Sequence, residues 1–497
     1  MHGEIGSLEI CLFGYRNSNV RYTMKKTTAF LLMQLICLSL LAQVKLGSLF
    51  TDHMVLQRES KVPIWGWAKP SSSLKVKTSW NAEVKEVNTD SSGKWKVYVN
   101  TAEAGGPYQI DVENQGDKLS LSNVLLGDVW LCSGQSNMEM PLKGYPGQPI
   151  ENGTEDLLDA DNELIRIYTV PRNPALKKQE DSKPSEWKLL SSESAYNFSA
   201  TAFYFGRQLF DQLEVPIGLL MSSYGGSNIE TWMEESWLKD VSDVEVPKSE
   251  EGLKNKNRIP TMLYNGMIHP IADFGIKGVI WYQGESNYEN AHEYLERFQR
   301  MVKGFRAIWN APELPFYYTQ IAPFNYAKIS PYHIEDKYNS AYLRDAQRKA
   351  LEVIPYSGMA VTLDIGEEFC IHPAKKKEVG KRLAYLALEG VYGYDKLSLR
   401  SPLYDSMEIK DGVIEVSFKD APLGVVAKDG QLRNFQIAGE NQVFYPADAV
   451  IKGKKVLVSS LQVEKPVAVR YGFTDFVVGD LFGVNGLPVG SFRTDNW

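Results

Sequence analysis

Ser136 is the side chain whose place in the chain best fits a nucleophile. It follows Val124–Cys132, an apolar run typical of a buried strand, and it is expected to open the next helix. A serine hydroxyl is a weak nucleophile that needs an adjacent base and donors for an oxyanion. A helix N-cap is the commoner role for an isolated serine, so this segment alone leaves both roles open. It is not a Gly-x-Ser-x-Gly elbow, because Met138 holds the last place.

His372 is the histidine whose surroundings best fit a general base. Pro373 suits the first turn of a helix, where the helix dipole disfavours an imidazolium and helps to keep the ring a neutral base. The other histidines beyond residue 42 have less favourable contexts: His53, His269, His292 and His333.

Two further strand ends carry groups that are able to stabilise an oxyanion. Gly225 and Gly226 follow the apolar run Val215–Ser222, and paired glycines permit close approach to a backbone N–H. Taken alone, a plain turn explains them better. Gln283 follows Gly278–Tyr282 directly, where a polar amide is costly unless it is used and is able to donate to an oxyanion.

The apolar runs that precede these residues predict a parallel α/β sheet over residues 126–400. Helical patterns intervene, for example Tyr294–Trp309 and Leu343–Val353. Strands buried on both faces and separated by helices indicate a parallel sheet, and ligands bind at the carboxyl ends of such strands. The polar segment Lys143–Asn197 is interpreted as loop insertions. The predicted strands are Val124–Cys132, Val215–Ser222, Gly278–Tyr282, Pro315–Ile321 and Met359–Asp364.

Alternating apolar patterns flank this central part on both sides. Leu74-Val76 and Trp95-Val97-Val99 place apolar side chains at every second position, which predicts a sandwich-like N-terminal β-domain over residues 43–125. Ile414-Val416-Phe418 has the same pattern and indicates a C-terminal β-rich module over residues 401–497.

The first 42 residues have the character of a leader. Met24-Lys25-Lys26 precedes the apolar run Ala29–Leu41, which is typical of a secretory signal peptide cleaved near Ala42, and residues 1–23 are interpreted as upstream of the true start. We therefore expect export, to the periplasm or the exterior, and a mature form that is not in the membrane.

Composition and motifs exclude several classes of function. The 497 residues include 61 acidic and 54 basic side chains, and the net charge of −7 argues against a nucleic-acid partner. The sequence contains no His-Glu-x-x-His, no paired cysteine motif and no phosphate-binding Gly-x-x-x-x-Gly-Lys, so no metal is predicted.

Four ordered motifs resemble the sialate O-acetylesterase family of SGNH-type hydrolases. They are CSGQSNMEMPL at 132–142, GGSNIETW at 225–232, WYQGESN at 281–287 and IHP at 371–373. Further similarity at 49–67, 343–347 and 486–497 extends the resemblance over nearly the whole mature chain. It implies an acetyl-sugar esterase with a three-layer α/β/α, flavodoxin-like catalytic domain, flanking β-modules and no cofactor.

The resemblance also implies roles for individual residues. Ser136 is the nucleophile and His372 the general base and acid. The oxyanion donors are the Ser136 backbone N–H, the pair Gly225/Gly226 and the side chain of Gln283. Asn287 is the alternative for the last donor.

The third member of a triad departs from the usual pattern. SGNH enzymes commonly hold an acid three residues before the histidine, and Phe369 stands there. Asp364 is favoured as the orienting acid, with Glu367 and Glu368 behind it. A Ser–His dyad is the alternative, since losing the acid weakens the base without abolishing it.

Cys132 and Cys370 are the cysteines outside the leader, and their spacing from Ser136 and His372 brings both near one rim. A disulfide between them is one hypothesis. Two separate buried thiols are the favoured alternative, because free cysteine is readily buried.

The function predicted from the sequence is removal of O-acetyl groups from sugars through an acetyl-enzyme, with O-acetylated sialic acid as the favoured substrate. An esterase for acetylated xylan or another plant polysaccharide is the alternative. A non-catalytic sugar-binding protein or a lipase is less favoured. The oligomeric state is left open.

Overall fold

The computed structural model describes residues 44–328 and 340–497, so the predicted leader and His333 lie outside the described residues. The first part of the chain forms short antiparallel strands. β1, β3 and β6 make one sheet, whereas β5, β4 and β7 pair in a second. In β6, Trp95, Val97 and Val99 are buried and alternate with less buried residues, as the sequence predicts. The strands are β1 (Lys45–Leu46), β2 (Val55–Gln57), β3 (Lys61–Trp67), β4 (Ser73–Thr78), β5 (Val84–Asn88), β6 (Lys94–Asn100) and β7 (Gly105–Asn114).

One long strand, β8 (Asp117–Gly134), joins this region to the central sheet. Its first half pairs antiparallel with β7, and its second half runs between two parallel neighbours of the central sheet. The predicted boundary between residues 125 and 126 lies within this strand. The end of β8 is therefore supported from both sides, which matters because Ser136 follows it.

The central sheet has the order β10-β9-β11-β8-β12-β13-β14. All of these neighbours pair in parallel except β10, which runs antiparallel at the edge, so the sheet is mixed. The predicted α/β class is confirmed. The strands are β9 (Asn162–Thr169), β10 (Lys188–Leu190), β11 (Ile217–Ser223), β12 (Gly278–Tyr282), β13 (Phe316–Thr319) and β14 (Ser357–Ala360).

The segment Lys143–Asn197 corrects one prediction. It was expected to be loop insertions, but it contains β9 and β10 of the central sheet. Ile165 and Ile167 of β9 are buried. The apolar stretch is short and has polar residues on both sides, so the periodicity of the sequence did not indicate a strand there.

Helices lie against both faces of the sheet. The helices are α1 (Ser136–Glu139), α2 (Gly153–Leu158), α3 (Ser192–Tyr196), α4 (Ala200–Leu213), α5 (Ala291–Ile308), α6 (Ala341–Val353) and α7 (Lys376–Tyr392). Trp130 and Cys132 of β8 pack in one apolar cluster with α4 and α7, and the alternate residues Val129 and Leu131 pack in another with α5 and α6. Successive side chains of a strand point to opposite faces, so β8 is buried on both.

Short turns of other helix types fill the connections around the site. They are the 3-10 helices Ile229–Trp232, Glu235–Leu238, Lys256–Arg258, His269–Ile271, Glu285–Asn290 and Tyr326–Lys328, and the π-helix Tyr264–Ile268. Among the described residues, none of the helices combines the length and apolar character that a membrane crossing requires.

The C-terminal part is β-rich, and Arg344 of α6 connects it to the rest. The buried guanidinium of Arg344 donates to the carbonyl of Gly472 (3.2 Å) and the hydroxyl of Ser491 (3.2 Å). The strands form three antiparallel sheets: β15 (Leu403–Lys410), β16 (Val413–Lys419), β17 (Val425–Ala427), β18 (Phe435–Ala438), β19 (Phe444–Pro446), β20 (Asp448–Lys452), β21 (Lys455–Ser459), β22 (Ala468–Tyr471), β23 (Leu481–Gly483) and β24 (Phe492–Arg493).

Candidate active site

Ser136 opens α1 directly after β8, as the sequence predicts. The turn between them needs Gly134, whose φ is +139° and where a Cβ would lie 2.2 Å from the carbonyl oxygen of Tyr282. The N–H of Gln135 donates to that oxygen (2.9 Å), and the carbonyl of Gln135 accepts from the N–H of Glu139 (2.9 Å). Backbone contacts to the neighbouring strand therefore fix the position of Ser136.

His372 lies in the loop between β14 and α7. The sequence placed it at the start of a helix, but α7 begins only at Lys376, so the helix dipole does not explain its state. Burial of the ring is the main cause that lowers the pKa of His372, and the positive charge of Lys376 adds to it, giving about 4. The imidazole is therefore neutral at physiological pH, which a general base requires.

Asn137 connects the loop of His372 to the helix of Ser136. Its Nδ2 donates to the carbonyl of Ile371 (3.0 Å), and its Oδ1 accepts from Nζ of Lys376 (2.6 Å). Asn137 follows Ser136 and Ile371 precedes His372, so a hydrogen bond joins the immediate neighbours of the two predicted catalytic residues. The catalytic residues themselves are 236 positions apart in the sequence. The structure brings the two residues to one edge of the sheet.

The imidazole of His372 has an amide partner. Nδ1 lies 2.6 Å from Oε1 of Gln148, and the ring of Tyr145 meets the imidazole edge to face at 5.3 Å. An amide oxygen only accepts hydrogen bonds, so Nδ1 carries the proton and Nε2 is left as the basic nitrogen. Sequence reasoning missed Gln148, because it lies in the segment that was interpreted as loop insertions.

The structure does not bring the expected acid to the imidazole. Asp364 is paired with Arg382 through both carboxylate oxygens, at 2.7 Å each. Glu367 accepts from the N–H of Ala374 (2.7 Å), and Glu368 lies 3.5 Å from the side chain of Asn325. Among the described residues, no carboxylate forms a hydrogen bond with His372, and Gln148 occupies that place.

The glycine pair lies beside Ser136, but one donor is already used. A Cβ on Gly225 would lie 3.4 Å from Cβ of Ser136, so the backbone of Gly225 passes close to the serine. The N–H of Gly225 donates to Oε2 of Glu139 (2.9 Å). The backbone N–H groups of Ser136 and Gly226 have no acceptor among the described residues, which leaves them available to an oxyanion.

The two side chains expected to donate to the oxyanion are engaged elsewhere. Nε2 of Gln283 donates to the carbonyl of Ser227 (3.1 Å) and to Oδ1 of Asn287 (2.7 Å). Nδ2 of Asn287 donates to both oxygens of Glu230, at 3.2 Å each. Both amides are buried beneath the 225–228 loop, so they support the loop instead of facing a ligand.

Two buried ionisable side chains, those of Lys376 and Glu285, lie beneath the site and are bridged by Asn137. Lys376 is fully buried, and burial lowers its pKa to about 7. Burial also raises the pKa of Glu285, whose Oε1 accepts from Nδ2 of Asn137 (2.5 Å). Asn137 thus lies between an ammonium and a carboxyl group, which makes its orientation expensive to change.

Cys132 and Cys370 are both free thiols, so the disulfide hypothesis is not realised in the structure. Cys132 lies on β8 within an apolar cluster, and Sγ of Cys370 donates to the carbonyl of His372 (3.1 Å). Burial raises the pKa of both thiols, which makes them poor nucleophiles.

Three aromatic side chains next to the predicted site residues, Trp232, Trp281 and Tyr282, are buried in the core and are not available to stack on a sugar. Tyr224 is half-buried, beside the glycine pair. The described residues contain no group of three or more histidines, cysteines, aspartates or glutamates that would hold a metal ion.

A serine that follows a strand of an α/β sheet, near a neutral imidazole, is an arrangement that esterases use to accept an acyl group. Residues 126–389 match the model of the family described as carbohydrate esterase, sialic acid-specific acetylesterase, and the chain belongs to this family.

Similar proteins agree with this membership. A sialate O-acetylesterase of Homo sapiens is 30% identical over 73% of this chain and 74% of its own, and one of Mus musculus is 27% identical over 86% and 89%. The crystal structure of a carbohydrate acetylesterase from Xanthomonas citri is 36% identical, with a TM-score of 0.82 over 91% of this chain and all of that one. The predicted family and the predicted sugar acetylesterase activity are confirmed.

Proposed function

We propose that the protein removes O-acetyl groups from sialic acid through an acetyl-enzyme on Ser136. One observation carries the proposal: Asn137 bonds the helix of Ser136 to the loop of His372, whose ring is neutral. The sialate O-acetylesterase relatives support the choice of sugar.

In the proposed reaction, His372 acts first as a general base and then as a general acid. Nε2 of His372 takes the proton of the Ser136 hydroxyl as the oxygen attacks the acetyl carbonyl. The N–H groups of Ser136 and Gly226 stabilise the oxyanion. His372 then protonates the departing sugar oxygen. Water activated by the same nitrogen releases acetate and restores the serine.

Gln148 replaces the acid of the usual triad in this proposal. It holds the ring in the tautomer whose Nε2 is basic, but as a neutral group it stabilises an imidazolium less than a carboxylate would. We expect the chemistry to depend on orientation of the ring more than on charge stabilisation.

We further assign the central sheet and its helices to the three-layer, flavodoxin-like SGNH type with flanking β-modules. We also propose export, based on the basic and apolar segments between Met24 and Leu41. The N-terminal sequence of the protein recovered from the periplasm or medium tests the predicted cleavage near Ala42.

Acetylated plant polysaccharide is the second candidate substrate. It stays a candidate because the similar Xanthomonas citri protein is a carbohydrate acetylesterase, a term that names no particular sugar.

Acetate release from O-acetylated sialic acid and from acetylated xylan tests the proposal. We expect wild-type protein to act on the first substrate at the higher kcat/KM, and Ser136→Ala to abolish activity on both. Ser406→Ala, in a C-terminal strand, is the matched control and should retain activity. Undiminished acetate release by Ser136→Ala would exclude the acetyl-enzyme, and release from xylan alone would favour the second candidate.

A further inference from the structure

Two arginines flank the 225–226 glycine pair and keep unused guanidinium nitrogens. Arg172 donates through Nε (2.8 Å) and Nη2 (2.6 Å) to Oε1 of Glu139. Arg258 donates through Nε to the carbonyl of Gly226 (3.0 Å). Nη1 of Arg172 and both terminal nitrogens of Arg258 have no hydrogen-bond partner within residues 44–328 and 340–497.

Glu139 connects Arg172 to the nucleophile. Its Oε2 accepts from the N–H of Gly225 (2.9 Å), and a Cβ on Gly225 would lie 3.0 Å from that oxygen and 3.4 Å from Cβ of Ser136. One carboxylate and one glycine therefore separate the guanidinium of Arg172 from Ser136.

The guanidinium of Arg172 is held in place and is charged. It lies 4.4 Å from the centroid of the Tyr224 ring, which stacks against it. Burial acts to lower the pKa of Arg172, but the hydrogen bond and charge of Glu139 outweigh that effect and raise it. The side chain is 54% exposed, so its free edge faces solvent.

The charges at this rim do not cancel. Glu139 supplies one negative charge against the two guanidinium groups of Arg172 and Arg258, in a chain whose net charge is −7. Gln148 adds no negative charge on the other side of the site. A local excess of positive charge in an acidic protein favours an anionic ligand.

We propose that Arg172, assisted by Arg258, is a specificity-determining residue that binds the carboxylate of an acidic O-acetylated sugar. A guanidinium pairs with a planar carboxylate more specifically than an ammonium does. The inference rests on the proposed function, because it assigns a group of the same substrate, and it separates acidic sugars from neutral acetylated sugars.

Two substrates that differ only at the carboxyl group test the inference: 9-O-acetyl-N-acetylneuraminic acid and its methyl ester, each assayed by acetate release. We expect wild-type kcat/KM for the acid to exceed that for the ester by roughly 30-fold, the size of one charge-assisted hydrogen bond. Arg172→Met should remove this preference, mainly through KM for the acid, and Arg172→Lys should restore part of it.

Arg300→Met is the matched control. Arg300 also donates through Nε (3.0 Å) and Nη2 (2.6 Å) to one glutamate oxygen, that of Glu296, but on α5. It should keep the wild-type preference.

Equal wild-type activity on the acid and its ester would overturn the inference and leave the proposed function standing. So would an equal loss on both substrates in Arg172→Met, which would show a structural role. Acetate release from acetylated xylan with none from either form of the sialic acid would overturn both proposals.

Discussion

The serine side and the histidine side of the site are held by different kinds of contact. Ser136 follows a strand paired on both sides, and backbone hydrogen bonds from Gln135 and Glu139 fix its turn. His372 lies in a loop that is held by side chains, namely those of Gln148, Asn137 and Lys376. Backbone pairing between neighbouring strands, which apolar runs in the sequence indicate, determines the first arrangement. The second depends on individual side chains, and those of Gln148 and Asn137 lie far from His372 in the chain.

The largest expected effect is loss of the base. Replacing His372 with alanine should lower kcat by ~10⁴-fold or more, because the serine then keeps its proton. Steady-state hydrolysis of a chromogenic acetate ester measures this effect. His292→Ala, which changes an exposed histidine of α5, should behave as wild type. A comparable loss in both variants would mean that the effect does not come from the active site.

The next two variants distinguish the role of Gln148, which orients His372, from the role of the ion pair between Asp364 and Arg382. Gln148→Ala should lower kcat by roughly tenfold, because a neutral hydrogen bond to the imidazole is lost. The melting temperature should change little, since Gln148 lies at the rim. A loss of stability without a loss of kcat would contradict the role of Gln148.

Asp364→Asn should lower the stability of the protein and leave kcat nearly unchanged, the opposite of Gln148→Ala. Asp364 and Arg382 are both buried, so removing one charge should cost about 3 kcal/mol of unfolding free energy, measured by denaturant titration. The kcat of the folded protein should stay close to wild type. A large fall in kcat at unchanged stability would restore Asp364 as the orienting acid.

The contrast between the two sides explains what the sequence predicted. Ser136 and Gly225 were identified because each directly follows an apolar strand, and strand ends meet at one edge of a parallel sheet. Gln283 and Asn287 carry amides that are suitable oxyanion donors. Only the structure shows that the N–H groups of both side chains already donate to other acceptors of the protein.

Other features had no local signal. Gln148 is a glutamine in a polar turn, and its contact with His372 spans 224 residues. Strand β9 was missed for a different reason: its apolar stretch is short and lies between polar residues.

The smallest expected effect is on the pH dependence. Since the pKa of His372 is about 4, kcat/KM should be lost as the pH falls through 4 and should be level above it. Lys376→Met removes a charge that disfavours the imidazolium, so the limb should move to higher pH. An acid limb of the wild type near 6.5, the ordinary value for histidine, would contradict the burial of the ring.

The most direct test of the partnership between Ser136 and His372 is covalent labelling with a fluorophosphonate, located by peptide mass spectrometry. We expect wild-type protein to carry the label on Ser136 alone, and His372→Ala to be labelled far more slowly at the same residue. Labelling at a different residue, or an unchanged rate in His372→Ala, would contradict the account.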